Sequence, residues 1–95
     1  MSVVIIGGHD RMASQYKTIC GDYGCKAKVY TQAEHNLECM IGQPDLIVLF
    51  TNPVSHKMAK IAKTKAALND IALVQSHSGS GSALKSILAN AKGGM

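Results

Sequence analysis

Runs of apolar residues alternate along this chain with segments whose apolar residues recur every three or four positions. Four runs predict strands, at residues 3–6, 26–31, 45–51 and 71–74. Residues 46–50 are apolar without interruption, which is typical of a central parallel strand covered on both faces. Residues 26–31 alternate polar and apolar side chains, which predicts a half-exposed edge strand.

The segments between these runs have the periodicity of helices. The first predicted helix has one apolar stripe, at Met12, Tyr16, Ile19 and Tyr23. Asp10 is predicted to cap its start, and Gly21 and Gly24 to mark its end. A weaker helix is predicted over residues 33–41. For the third helix, Asn52 is the predicted cap and Pro53 the first helical residue. The last helix carries its stripe over residues 83–91.

Strands that alternate with helices predict an α/β fold, because each right-handed crossover places a helix on one face of a parallel sheet. We expect a small Rossmann-like, three-layer fold, half of a doubly wound domain, with a four-stranded parallel sheet in the order 2-1-3-4. Ninety-five residues suffice for one domain. Residues 1–92 are predicted to form it, and residues 93–95 a flexible tail.

Composition narrows the classes of protein. No apolar run approaches the roughly 18 residues of a membrane span, and no signal-peptide pattern is visible, so we expect a cytoplasmic protein. Cys20, Cys25 and Cys39 are odd in number and form no Cys-x-x-Cys motif, which favours a structural role. The formal charge of +4 favours an anionic ligand, but four scattered aromatic residues do not make a nucleic-acid stacking platform. No nucleic-acid partner is expected.

Three histidines come just after predicted strands: His9, His56 and His77. Open α/β folds bind ligands at the carboxyl ends of their strands, so these side chains predict a binding site. His56 falls in a first helical turn, where the helix dipole disfavours the imidazolium form. Metal coordination requires a neutral imidazole. His35 lies in the weak middle segment and is expected to be exposed.

Several familiar sites are not matched. Gly7-Gly8-His9 stands where a dinucleotide-binding protein has Gly-x-Gly-x-x-Gly, but the third glycine and the acidic residue after the second strand are missing. The loop at residues 76–82 lacks the ending of a P-loop, and either an anion cradle or an ordinary connection remains open. No hydrolase triad is visible. The strand ends also lack the phosphoacceptor aspartate of a receiver domain.

Three motifs together resemble a bacterial family known as domain of unknown function 2325. They are Gly7-Gly8-His9, Val54-Ser55-His56 with Lys63 seven residues on, and Ser76-His77-Ser78 before Ala83-Leu84. The resemblance covers nearly the whole chain, and the Ser-His pair followed by Lys63 is its most specific part. It implies a Rossmann-like domain, and haem and dioxygen binding are attributed to some members. It also implies that His56 is the axial iron ligand, whereas many relatives have a basic residue in place of His9.

On this resemblance we expect a His-ligated haem protein that binds or senses dioxygen. Met12, Tyr16, Val54 and Met58 would supply apolar walls, and Arg11, Lys57, Lys60, Lys63 and residues 78–82 would receive the propionates. Beside His56 as metal ligand, the expected cofactor-binding residues are Gly7, Gly8, His9, Arg11, Met12, Tyr16, Val54, Ser55, Lys57, Met58, Lys63, His77, Ser78 and Ser80. A domain this small cannot enclose a macrocycle alone, so we expect a homodimer with haem in a shared cleft. Exposed edge strands favour the same association.

Two other functions remain open. The domain would bind a phosphorylated metabolite or nucleotide through Gly7-Gly8 and residues 76–82, or it would be a small enzyme using His9, His56 or His77 as general acid and base. The sequence indicates no acid–base partner for these histidines, so a non-enzymatic role is favoured.

Overall fold

Nine elements follow one another in the computed structural model, which describes residues 1–32, 36–52 and 54–93. They are β1 (Ser2–Gly7), a 3₁₀ turn (Asp10–Met12), α1 (Ala13–Asp22), β2 (Lys26–Tyr30), α2 (Leu37–Ile41), β3 (Leu46–Phe50), α3 (His56–Asn69), β4 (Ala72–Ser76) and α4 (Gly81–Gly93). The α/β alternation expected from the sequence is confirmed.

The four strands form one parallel sheet in the order β2-β1-β3-β4, as predicted. Every residue of β3 is buried, whereas the residues of β2 and β4 are all exposed or half-buried. The uninterrupted apolar run of β3 and the alternating pattern of β2 therefore correspond to a central and an edge strand. The chain has a Rossmann-like fold.

Helices cover both faces of the sheet and divide the core in two. One cluster lies under α1 and α4 and contains Val3, Ile5, Tyr16, Ile19, Cys20, Cys25, Leu46, Val48, Phe50, Leu84 and Leu88. The other lies under α2 and α3 and contains Val4, Ile6, Leu37, Ile41, Ile47, Leu49, Met58, Ala62 and Ala66. Successive residues of a strand point to opposite faces, which is why Val3 and Val4 belong to different clusters.

Two predicted helix caps are wrong. Asn52 does not cap the third helix; Ser55 does, accepting a hydrogen bond from the Met58 amide at 3.1 Å, so that α3 begins at His56. The Asp10 carboxylate caps no helix, because it accepts hydrogen bonds from the side chains of Thr31 and Gln32 after β2. Asn52 and Asp10 are both suitable capping residues near a helix start. Ser55 takes the place of Asn52 as the cap, and the tertiary hydrogen bonds from Thr31 and Gln32 occupy the Asp10 carboxylate.

Other boundaries differ by a few residues. Gly21 lies inside α1, and Gly24, with a φ of 72°, follows its end. The helix predicted over residues 33–41 is observed as α2, from Leu37 to Ile41, and residues 33–35, with the prediction for His35, lie outside the described residues. β4 continues to Ser76, two residues beyond the prediction, and α4 continues to Gly93.

The charge of the molecule is concentrated on one helix. The chain has ten lysine and arginine and six aspartate and glutamate residues, and α3 contains four lysines and no acidic residue. The remaining six basic residues therefore balance the six acidic ones, and the formal net charge of +4 equals that of α3. Its buried side faces the core through Met58, Ala62 and Ala66, whereas Lys57, Lys60 and Lys63 are exposed.

Candidate functional site

An open cleft lies at the carboxyl edge of the sheet, between the turn after β1 and the loop after β4. Its volume is about 490 Å³. Its lining residues are His9, Met12, Asn52, His77, Ser78, Gly79, Ser80 and Gly81. Parallel strands of this type bind ligands at this edge, near the point where the strand order reverses. Here that point lies between β1 and β3.

The floor of the cleft is made by two loops in close contact. Tyr16 is fully buried, and its hydroxyl donates a hydrogen bond of 2.5 Å to the Gly79 carbonyl. A Cβ on Gly8 would lie 2.5 Å from that hydroxyl oxygen, and a Cβ on Gly79 would lie 3.5 Å from the Gly8 Cα. Gly8 also has a φ of +84°, which other residues rarely adopt. Gly8 is therefore required, and a Cβ on Gly79 would also crowd the ring, since it would lie 3.0 Å from the Tyr16 hydroxyl oxygen.

Serines organise the loop from β4 to α4. The Ser76 hydroxyl donates to the Ser78 carbonyl at 2.9 Å, and the Ser78 hydroxyl accepts from the Ser80 amide at 3.3 Å. Ser80 then caps α4, its hydroxyl accepting from the Ala83 amide at 3.1 Å. The first amides of a helix have no acceptor within that helix, and the positive end of its dipole lies here. One wall of the cleft therefore favours an anionic group.

His9 lies on the opposite wall, in the turn after β1. It is exposed and directly precedes the 3₁₀ turn. Together with the three residues of that turn, Asp10, Arg11 and Met12, it lines a second open cavity of about 530 Å³. Asp10 fixes this turn to the end of β2, with the Gln32 amide nitrogen at 2.6 Å and a further hydrogen bond from Thr31. The hydrogen bond from Thr31, then that from Gln32, holds the pKa of Asp10 below its usual value.

The expected site residues separate into two groups. Gly8, His9, Arg11, Met12, His77, Ser78 and Ser80 lie in or beside the cleft, Tyr16 lies beneath it, and Gly7 is the buried last residue of β1. Val54, Ser55, His56, Lys57, Met58 and Lys63 belong to the α3 side of the sheet. Met58 is buried in the α2/α3 cluster, and Val54 packs against that cluster. The four expected apolar walls therefore do not enclose one cavity within a single chain.

His56 differs in position from the other two histidines. It lies in the first turn of α3, as predicted, where it is the first residue and is exposed, but it is not among the described residues that line the cleft. His9 and His77 share the cleft instead. Among the described residues, no three histidine, cysteine, aspartate or glutamate side chains group as a metal site would require. A single axial haem ligand does not depend on such a group.

The cysteines are not among the described residues that line the cleft or the neighbouring cavity. Cys20 and Cys25 are buried and Cys39 is exposed, and all three are free thiols. Burial, with a smaller contribution from Cys25, raises the pKa of Cys20 to about 11. Because the thiolate is the reactive and metal-binding form, Cys20 has the properties of a core residue.

One residue of the cleft, Asn52, is not among the predicted site residues, because its sequence signal is that of a helix cap. Gly79 and Gly81 are predicted only as part of the loop at residues 76–82, which is suspected of anion binding. The contact of Gly79 with Tyr16 depends on two segments 63 residues apart in sequence. The sequence signal for these glycines is their spacing between serines just before the apolar stripe of α4.

Comparisons with known proteins assign the chain to a family but not to an activity. A family model described as an uncharacterised protein conserved in bacteria matches residues 2–91. No curated protein and no solved structure matches the chain. Of the helices described, none has the length and apolar character needed to cross a membrane. Because the family model spans nearly all of the sequence, the chain belongs to the bacterial family domain of unknown function 2325.

Proposed function

We propose that this domain binds a small ligand carrying a phosphate-like anionic group in the cleft between the β1 turn and the β4–α4 loop. The observation that carries the proposal is that His9 and His77 approach the same cleft from two loops, beside serines at the start of α4. Imidazole N–H groups, hydroxyls and helical amides are all hydrogen-bond donors to phosphate oxygens. The ligand is a phosphorylated metabolite or a nucleotide.

The rigidity of the cleft floor supports this proposal. Tyr16 joins the loop after β1 to the loop after β4, and Asp10 joins the first of these loops to the end of β2. The loops that carry the donors are therefore held in place before a ligand arrives, so that little backbone entropy is lost on binding. No nucleophile paired with a base is evident among the described cleft residues, so we propose a binding or regulatory role and not an enzyme.

Thermal unfolding in the presence of anions tests the proposal. Inorganic phosphate, pyrophosphate and nucleoside mono- and diphosphates would be added up to millimolar concentration, with sodium chloride at equal ionic strength as the reference. A ligand at about one hundred times its Kd adds about 2.7 kcal/mol to the free energy of unfolding. We expect at least one of these anions to raise Tm. If none raises Tm beyond the salt reference, the proposal is wrong.

The three histidines provide matched variants for the same experiment. His9→Ala and His77→Ala each remove an exposed imidazole from the cleft, and we expect a loss of about tenfold in affinity, the equivalent of one hydrogen bond to a charged group. His56→Ala removes an exposed imidazole from the start of α3 and should leave affinity unchanged. Equal losses in all three variants would contradict a site confined to the cleft.

Haem is the second candidate, and one observation favours it over other cofactors. Two imidazoles and the Met12 thioether line the same cleft, and these are the side chains that commonly ligate haem iron. The carboxylates of its propionates would use the donors proposed for phosphate. Apart from Met12, the expected apolar walls lie outside the cleft, so a single copy fits the donor set but supplies only part of the enclosure. A second copy would have to supply the remainder.

An absorption spectrum after haem reconstitution separates the two candidates. A Soret band that is lost in His9→Ala or His77→Ala would support haem in the cleft, with dioxygen as the small ligand on the iron. A band lost only in His56→Ala would move the ligand to α3, as the family resemblance implies. A wild-type protein without a Soret band would exclude haem and leave the phosphate-like ligand.

A further inference from the structure

The two edge strands of the sheet present different chemistry. β2 carries the exposed lysines Lys26 and Lys28, and charged side chains on an edge strand oppose pairing with another strand. β4 has the sequence Ala-Leu-Val-Gln-Ser, without charge or proline. Natural proteins usually protect such an edge, because its free backbone groups can pair with another chain. One edge is protected against pairing and the other is suited to it.

The direction of the backbone groups in β4 follows from one hydrogen bond. The Ser76 carbonyl accepts from the Thr51 amide at 2.8 Å, so Ser76 faces β3. The backbone groups of successive residues point to opposite sides of a strand within the plane of the sheet. Val74 therefore also faces β3, whereas Leu73 and Gln75 direct their amide and carbonyl groups toward the free edge. Among the described strands, β4 pairs with β3 alone. Leu73 and Gln75 therefore offer a row of donors and acceptors at this edge.

The side chains of β4 are only partly covered. Leu73 packs against the α2/α3 cluster and Val74 against the α1/α4 cluster, and both remain half-buried. Ala72, on the same side as Val74, is exposed. Apolar surface thus remains on both faces of this strand. A further strand beside β4 with side chains of the same kind would cover both.

We propose that β4 is a dimerisation edge on which a second copy of this chain pairs its own β4 in antiparallel orientation, giving a continuous eight-stranded sheet. The pairing is self-complementary, as a two-fold interface requires, because both strands are uncharged and offer the same outward groups. Asp70 precedes the strand and His77 follows it, so antiparallel pairing brings the carboxylate end of one strand to the imidazole end of the other. This inference goes beyond ligand binding and needs no ligand.

Such a dimer has a consequence for the cleft. β4 leads directly into His77 and Ser78, which line it, so the cleft of each copy lies near the turn between α3 and β4 of the second copy. The dimer therefore brings residues of a second chain close to each ligand site. A ligand too large for a single copy would gain a wall from the second.

Sedimentation equilibrium of the ligand-free protein over a range of concentrations tests the proposal. We expect a monomer–dimer equilibrium. Gln75→Pro removes an outward amide and should raise the dimer Kd at least about tenfold, because the change occurs in both copies. The matched control is Ala27→Pro on β2. The Lys26 amide there faces β1, so the Ala27 amide faces outward in the same way, and this variant should leave the dimer Kd unchanged.

A second pair of variants avoids substitutions to proline. Ala72→Lys/Gln75→Lys adds charge to two exposed positions of β4 and should also abolish or weaken the dimer. Gln15→Lys/Ala89→Lys adds the same charge to exposed positions of α1 and α4 and should not. A protein that is monomeric throughout, or a dimer unaffected by both β4 variants, would overturn the proposal.

Amide hydrogen exchange locates the interface independently. In the dimer, the Leu73 and Gln75 amides should exchange at least about tenfold more slowly than in the dilute monomer. The Val74 and Ser76 amides face β3 and should be protected in both states. Slow exchange that appears on β2 in place of β4 would assign the interface to the other edge and contradict the proposal. Since no ligand is present, this result is independent of the proposed phosphate site.

Discussion

On each side of the sheet a helix begins near a histidine that follows a buried strand, but the cleft at the carboxyl edge is lined mainly by residues next to α1 and α4. On the α1/α4 side, the loops after β1 and β4 touch through Gly8 and Gly79, and His9 and His77 stand above them. On the α2/α3 side, Ser55 caps α3 and His56 projects from an exposed helical turn. A cleft here requires two loops that converge, and a histidine after a strand does not suffice.

The close contact between the two loops should be the most sensitive part of the molecule. Gly8→Ala introduces a methyl group 2.5 Å from the Tyr16 hydroxyl oxygen at a positive φ, and we expect a loss of roughly 3 kcal/mol in the free energy of unfolding. Chemical denaturation measures this loss. In the double variant Gly8→Ala/Tyr16→Phe, removal of the hydroxyl should recover part of it.

Gly21→Ala is the control for the glycine substitution. Gly21 lies inside α1, and a Cβ there would meet no atom within 4 Å. Alanine has a higher helix propensity, so this variant should be more stable by about 0.5–1 kcal/mol. If Gly8→Ala were as stable as wild type, the contact between the two loops would not define the floor of the cleft.

The two serine helix caps allow the two faces of the sheet to be compared with substitutions that should lower the free energy of unfolding equally. Ser80 caps α4 beside the cleft, and Ser55 caps α3 away from it. We expect Ser80→Ala and Ser55→Ala each to lower the free energy of unfolding by about 1 kcal/mol. Titration calorimetry with the anion identified by thermal unfolding should show weaker binding for Ser80→Ala alone. Equal affinities in the two variants would argue that the start of α4 takes no part in binding.

The smallest expected effect concerns Asp10, whose carboxylate is fully exposed. Its pKa is lowered chiefly by the hydrogen bond from Thr31, so Asp10 stabilises the folded state above the usual carboxyl pKa and loses this effect as pH falls through its lowered value. Denaturation at several pH values should show wild type more stable than Asp10→Asn between about pH 5 and 7 and the difference shrinking below about pH 4. Asp22→Asn, an exposed carboxylate at the end of α1, is the control.

The sequence was sufficient for the fold because each strand has a recognisable pattern, either an apolar run or an alternation of polar and apolar residues. The uninterrupted burial of β3 and the alternation in β2 determine which strand is central and which lies at the edge. Helix starts were less predictable. Asn52 and Asp10 are both good capping residues, but Ser55 lies closer to the apolar stripe of α3, and Thr31 and Gln32 bind Asp10 only after the chain has folded.

The sequence predicts a site at the carboxyl edge of the sheet, where the cleft lies, but draws its residues from both faces of the sheet. The expected strand order 2-1-3-4 already determines which face of the sheet each helix covers. The chain moves one way from β1 to β2 and the other way from β3 to β4, so right-handed crossovers place α1 and α3 on opposite faces. Side chains within α3, such as Met58, therefore pack on the face opposite α1, whereas the loop before α3 reaches the cleft through Asn52. The contact between Tyr16 and Gly79, by contrast, has no signal in local sequence patterns.

The concentration of net charge on α3 has a practical consequence for biosensor experiments. The exposed lysines of α3 lie on the opposite face of the sheet from α1 and α4, beside which the cleft opens. On a negatively charged sensor chip at low ionic strength, the molecule should adsorb through α3, since electrostatic attraction orients it before contact. The side of the molecule with α1 and α4, next to which the cleft lies, then faces away from the chip, and immobilisation requires no engineered tag.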